Sequence, residues 1–147
     1  MNLLFQKNDK TWCRLQWSTL YLRWPFRHLV MDSMIPEEIV HHQKSKTLEL
    51  SFPGGERFNL SCEYLRVFSP SAEVRGHGPG QEVLQTGKKD VNITEIEPVG
   101  HYALKLRFSD GHDTGIYSWE YLVSLGREFD KNWKDYLERL NKAGASR

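Results

Sequence analysis

Residues Tyr102 to Phe108 read Tyr-Ala-Leu-Lys-Leu-Arg-Phe, so Leu104, Leu106 and Phe108 are separated by Lys105 and Arg107. Successive side chains on a strand point to opposite faces, and this alternation therefore specifies a half-buried β-strand rather than an amphipathic helix. Leu48, Leu50 and Phe52, spaced by Glu49 and Ser51, repeat the pattern. Turn residues follow each run: Pro53-Gly54-Gly55 after the first and Ser109-Asp110-Gly111-His112 after the second. Arg57 to Leu60 and Thr114 to Tyr117 then pair back, which makes two antiparallel hairpins. Ile39 to His42 predicts a strand before the first hairpin, with Lys44-Ser45-Lys46 turning between them. Val91, Ile93 and Ile96 predict another, which closes at a turn through Pro98-Val99-Gly100.

Helical signals lie between and after the hairpins. Ser61 is placed to cap a short helix from Cys62 to Phe68 that Ser69-Pro70 terminates, because the residue before proline is pushed out of the helical region. A second turn runs from Ser71 to Val74, and Gly76-His77-Gly78-Pro79-Gly80 is a loop. Ser118 caps a helix carrying Trp119, Leu122, Val123 and Leu125, which Gly126 closes,. Trp133, Tyr136, Leu137 and Leu140 recur at helical spacing in a last amphipathic helix,. The expected fold class is α+β, a mostly antiparallel sheet of about five to six short strands with a short helix between strands and two C-terminal helices,.

Composition narrows the function. A chain of 147 residues with 39% hydrophobic and 12% aromatic side chains can bury one core,. Its net charge of +1 gives no argument for a nucleic-acid or anionic-membrane partner,, and no apolar run approaches the ~20 residues of a membrane span. Cys13 and Cys62 have neither disulfide-framework nor metal spacing, so a reducing cytoplasm is the simplest compartment,. Residues 1–33 hold five basic and two acidic side chains, while the remainder holds fifteen and seventeen. That break divides the chain into an N-terminal extension (1–33, expected to be disordered or a non-native start), a folded domain (34–143) and a frayed tail (144–147).

The runs Thr47-Leu48-Glu49-Leu50-Ser51-Phe52, Tyr64 to Gly80, Phe108-Ser109-Asp110-Gly111-His112 and Tyr117-Ser118-Trp119-Glu120-Tyr121-Leu122 resemble the γ-butyrobetaine hydroxylase-like N-terminal domain family, DUF971. In the hydroxylases this domain precedes an iron- and 2-oxoglutarate-binding β-helix. Related domains are fused to iron–sulfur ATPases, and neither catalytic partner segment is present in this chain. The resemblance also implies a zinc held by three cysteines and a histidine. Leu65-Arg66-Val67-Phe68 matches the start of that run, so the cysteine positions fall on Ser69, Ser71 and Val74, and the histidine on His112 after Asp110. Serine hydroxyls are poor zinc donors and valine donates nothing. Ser69 and Ser71 are instead expected to cap the following turn with hydrogen bonds.

Several residues have both a structural and a functional reading. Arg66, Glu73 and Arg75 make either an ion-pair lock for the loop or an anion pocket extended by Lys88-Lys89. His77, flanked by glycines, is an exposed loop residue of the kind that meets partners. His41 and His42 point to opposite faces of their strand, and Cys62 is a small core residue with no base at a recognisable spacing. No paired carboxylates, nucleophile–base arrangement or phosphate loop supports an enzyme. The leading expectation is a non-catalytic adaptor that needs no cofactor. It presents Arg66, Ser69, Ser71, Glu73, Arg75 and His77 to a protein partner, which family context places near iron–sulfur assembly or quinone biosynthesis. The alternative is a small metal-binding module holding iron or zinc through His112 and His77.

Overall fold

The computed structural model describes residues 12–16 (as backbone), 34–78 and 80–147. The expected extension over 1–33 therefore lies, apart from one strand, outside the described residues. That strand, β1 (Trp12–Gln16), begins an antiparallel meander with β2 (Glu38–His42), β3 (Thr47–Ser51) and β4 (Arg57–Ser61), in the order β1-β2-β3-β4. A second antiparallel sheet holds β5 (Ile93–Val99), β6 (Ala103–Phe108) and β7 (Ile116–Ser118) in chain order. Helices α1 (Cys62–Val67) and α2 (Ala72–Arg75) link the sheets, and α3 (Trp119–Arg127) and α4 (Phe129–Lys142) end the chain. The α+β, mostly antiparallel architecture is thus the one the alternation predicts, with β1 as an added edge.

Register explains the core. Ile39 lies opposite Leu50 and Leu48 opposite Leu60 in the first sheet. Ile96 faces Leu106 and Leu104 faces Tyr117 in the second. These inward sets meet Tyr64 and Leu65 of α1 and Leu122 and Leu125 of α3 in one cluster, where each fully buried aliphatic side chain contributes roughly 1.5–3 kcal/mol. Val67, Tyr136 and Leu140 form a smaller cluster between α1 and α4.

A six-residue helix is too short to stand alone, and α1 holds through its ends and its burial. The Ser61 hydroxyl accepts from the Tyr64 N–H at 3.1 Å, as expected of an N-cap. At the other end the Leu65 and Phe68 carbonyls accept from the Tyr117 and Tyr121 hydroxyls, each at 2.7 Å, which satisfies groups a helix terminus leaves open. Asn92 joins the two sheets. Its Oδ1 accepts from the Ile93 N–H at 2.9 Å and from His41 Nε2 at 3.1 Å, and its Nδ2 donates to the Gln43 carbonyl.

Two local expectations need correction. Gly126 does not close α3, which continues to Arg127. A Cβ at Gly126 would run into the Phe58 ring, so the glycine is there to let β4 and α3 approach. Strand β5 continues through Pro98 to Val99, and the turn falls on residues 100–102, where Gly100 has φ 54°. The segment after α4 carries specific contacts. Arg147 meets the buried Glu63 carboxylate with two hydrogen bonds, at 3.0 and 2.6 Å, and its guanidinium lies over the Trp133 ring.

Candidate functional site

The β6–β7 turn and the α1–α2 junction bring the resemblance positions together. Ser69 Oγ lies 2.8 Å from His112 Nε2, and His112 Nδ1 lies 3.2 Å from Glu73 Oε2. A carboxylate can only accept, so Nδ1 carries the proton and Nε2 of the neutral ring accepts from the Ser69 hydroxyl. Burial, followed by the nearby Arg66 charge, lowers the pKa of His112 and favours that neutral form,. Ser69 Oγ also accepts from the Ser71 N–H, at 3.4 Å. The expected caps are therefore only half made. Ser71 occupies the N-cap position of α2 without a side-chain cap bond, and its buried hydroxyl has no partner among the described residues.

The order serine–histidine–glutamate is that of a nucleophile, its base and its orienting acid. Ser69 is only 1% exposed, however, and a Cβ on Gly115 would collide with Ser69 Oγ and crowd the Tyr117 ring. No substrate carbonyl reaches that oxygen, and the arrangement acts as a hydrogen-bonded lock. Nor does it fit a zinc. Two hydroxyls and a valine replace the thiolates, both nitrogens of the histidine are engaged, and the described residues contain no group of three or more His, Cys, Asp or Glu able to hold a metal ion,.

Asp110 steadies the same turn. Its Oδ2 accepts from Arg66 Nε at 2.8 Å and Lys88 Nζ at 2.7 Å, and its Oδ1 accepts from the His112 N–H at 3.3 Å. Burial alone would raise its pKa, but the hydrogen bonds from Lys88 and Arg66 outweigh that and lower it,. Arg66 also donates to Gln85 Oε1 and is buried. It is committed to Asp110, while Arg75 lies over the Tyr121 ring at 4.5 Å and Glu73 turns to His112. The two arginines thus do not share an anion site, and Lys88 serves Asp110.

Beyond the lock the loop becomes a wall. Gly76 has φ 70°, and a side chain there would strike the Gln81 carbonyl. The Val83 N–H closes the loop on the Val74 carbonyl at 2.9 Å. His77 is exposed at its tip. Between this loop and helices α3 and α4 lies an open groove of about 840 Å³ lined by Arg75, His77, Val83, Tyr121, Tyr136 and Arg139 among others. Its acidic members are Glu82, Glu128 and Asp135.

Sequence reasoning missed one cluster. His41, on the inward face of β2, places Nε2 4.0 Å from Cys62 Sγ, and both share Asn92 Oδ1. The alternation that buries Ile39 also turns His41 inward, and that was the available signal. Burial pushes the Cys62 thiol up to about 11 and lowers the pKa of His41, so both are neutral core groups rather than a thiolate–imidazolium pair.

Residues 39–123 match the family described as Gamma-butyrobetaine hydroxylase-like, N-terminal. One protein of known NMR solution structure is 51% identical, with a TM-score of 0.68 over 77% of this chain and 89% of that one. A second NMR structure is 58% identical, with a TM-score of 0.62 over 71% and 78%. The crystal structure of a protein of unknown function in the DUF971 family from Acidithiobacillus ferrooxidans is 40% identical, with a TM-score of 0.55 over 65% and 96%. No curated protein matches.

Proposed function

This chain belongs to the gamma-butyrobetaine hydroxylase-like N-terminal family, and from that premise we propose that it is a non-catalytic binding module whose Ser69–Gly80 loop receives a protein partner. The observation that carries this reading is the groove, because it joins the sequence-predicted Arg75 and His77 to a face of α3 and α4. Its floor offers the Tyr121 and Tyr136 rings, and its rim carries two arginines, Arg75 and Arg139, beside three acidic side chains. That balance repels a polyphosphate backbone and suits a polypeptide segment with charges of both signs. The buried Ser69 and Cys62, which have no access to substrate, support a role in binding rather than chemistry. The proposed partner belongs to iron–sulfur assembly or quinone biosynthesis, and the proposed compartment is the cytoplasm.

The test is site-specific photocrosslinking in the native cell. A benzophenone side chain is placed at Val83, which is 54% exposed in the groove, and for comparison at Thr94, exposed on β5. The expected outcome is one discrete crosslinked protein from Val83 that is absent from Thr94 and lost on Arg75→Glu. The same products from both positions, or none from Val83, would refute the reading.

A further inference from the structure

The described residues contain several candidates for a second role: the Cys62–His41–Asn92 cluster, the buried Glu63–Arg147 pair, the exposed Ile116 edge of β7 and the Ser69–His112–Glu73 lock. The first two are closed and internally satisfied, and nothing among the described residues covers the third. The lock is different, because its Ser69 and His112 occupy positions at which the resemblance implies a metal centre.

We propose that the Ser69–His112–Glu73 relay replaces that metal centre with hydrogen bonds, so that the loop wall of the groove is held without any metal. Three observations converge on this. The histidine uses both nitrogens inside the protein, at 2.8 Å to Ser69 and 3.2 Å to Glu73, leaving no lone pair for a cation. Ser71 keeps a buried hydroxyl, 5% exposed, with no partner among the described residues, and a neutral hydroxyl is a poor metal donor,. Val74, 6% exposed, puts an apolar side chain where a third donor would stand, and its N–H is spent on the Ser71 carbonyl at 3.1 Å. Gly115 completes the enclosure, since any side chain there would displace Ser69 Oγ.

The replacement also explains why Glu73 sits in the first turn of α2 although it is the exposed member of the relay. A tetrahedral metal would fix the α1–α2 junction from its centre. A relay has to be closed from outside, and Glu73 does this by orienting the ring so that Nε2 faces Ser69. Ser69 and Glu73 come from the two sides of the Pro70–Ser71 turn, so one histidine clamps the junction on which the groove wall begins. This inference does not depend on which partner the groove receives.

The experiment has two independent arms. In the first, wild-type protein is melted with EDTA and with added zinc, beside His112→Ala. The expected result is one melting temperature for wild type under both conditions and no stoichiometric metal by elemental analysis. A zinc-dependent rise, or bound metal that His112→Ala removes, would overturn the proposal. In the second, S69C/S71C/V74C is titrated with cobalt(II), whose thiolate charge-transfer band reports tetrahedral binding. The expected result is one cobalt per chain, with affinity falling at least tenfold when His112→Ala is added. A folded variant that takes up no cobalt would show that the relay does not occupy a metal position.

Discussion

Ser69→Ala should destabilise the protein, while Ser71→Ala, two residues away and equally buried, should not. The Ser69 hydroxyl donates to His112 Nε2 at 2.8 Å inside a site where the histidine is 6% exposed. Removing the hydroxyl leaves that nitrogen without a partner and without water, and a buried unsatisfied acceptor costs about 1–3 kcal/mol. The Ser71 N–H also loses its acceptor, but at 3.4 Å that bond is weak, and the loss adds roughly a few tenths of a kcal/mol. The expected total is about 2 kcal/mol, or roughly 8 °C in melting temperature for a domain of this size. Ser71→Ala removes a hydroxyl that has no partner among the described residues, so it should be neutral or stabilising by up to about 1 kcal/mol. Urea unfolding followed by tryptophan fluorescence measures both, with an unchanged m-value confirming that only stability has moved. On a His112→Leu background, Ser69→Ala should cost much less, because both polar partners are then gone. A Ser71→Ala loss as large as that of Ser69→Ala, or a Ser69→Ala loss below about 0.5 kcal/mol, would refute the reasoning.

Gly126→Ala should be destabilising by about 1–2 kcal/mol in spite of alanine's helix propensity, because overpacking against Phe58 outweighs it,; a shorter side chain in Phe58→Leu should recover most of the loss in the same unfolding assay. Folding stability should fall as pH drops below about 6.5. His41 has a lowered pKa in the folded state, so the unfolded chain takes up its proton first and stability is lost from the ordinary histidine value downward,. His41→Gln keeps a donor for Asn92 and should give a shallower decline between pH 7.5 and 5.5, whereas an identical decline would exclude His41 as its source. With Cys13→Ser as background, Cys62 should react with a disulfide reagent at pH 8 only after unfolding, its thiol being fully buried and pushed up to about 11,; rapid labelling of native protein would contradict the packing.

The strands and caps were legible because their signals are local. Leu48, Leu50 and the Leu104–Phe108 run carry their own period, and Ser61 and Ser118 both accept from the N–H three residues on. Gly126 was misread because a helix-ending glycine and a packing glycine look the same in sequence. Phe58, whose ring decides between them, lies on a different element. The meeting of Ser69 with His112 followed from the resemblance, whereas the partner of the second histidine nitrogen did not. Glu73 lies between two arginines in sequence, but Asp110 takes Arg66 and Tyr121 takes Arg75, which leaves the carboxylate for His112. Charge order along a chain does not determine ion pairs when the competing partner comes from a distant turn. The groove was illegible for the same reason, since α4 supplies one wall and the 76–85 loop the other.

The account rests on the relay, and the protonation pattern of the His112 ring tests it most directly. Long-range nitrogen–proton correlation spectra of protein labelled with ¹⁵N-histidine, recorded at neutral pH with and without added zinc, report each ring nitrogen separately. The relay predicts a neutral ring protonated at Nδ1, with Nε2 accepting a hydrogen bond and neither signal moving when zinc is added. A ring protonated at Nε2, a doubly protonated ring, or a signal that shifts with zinc would contradict it.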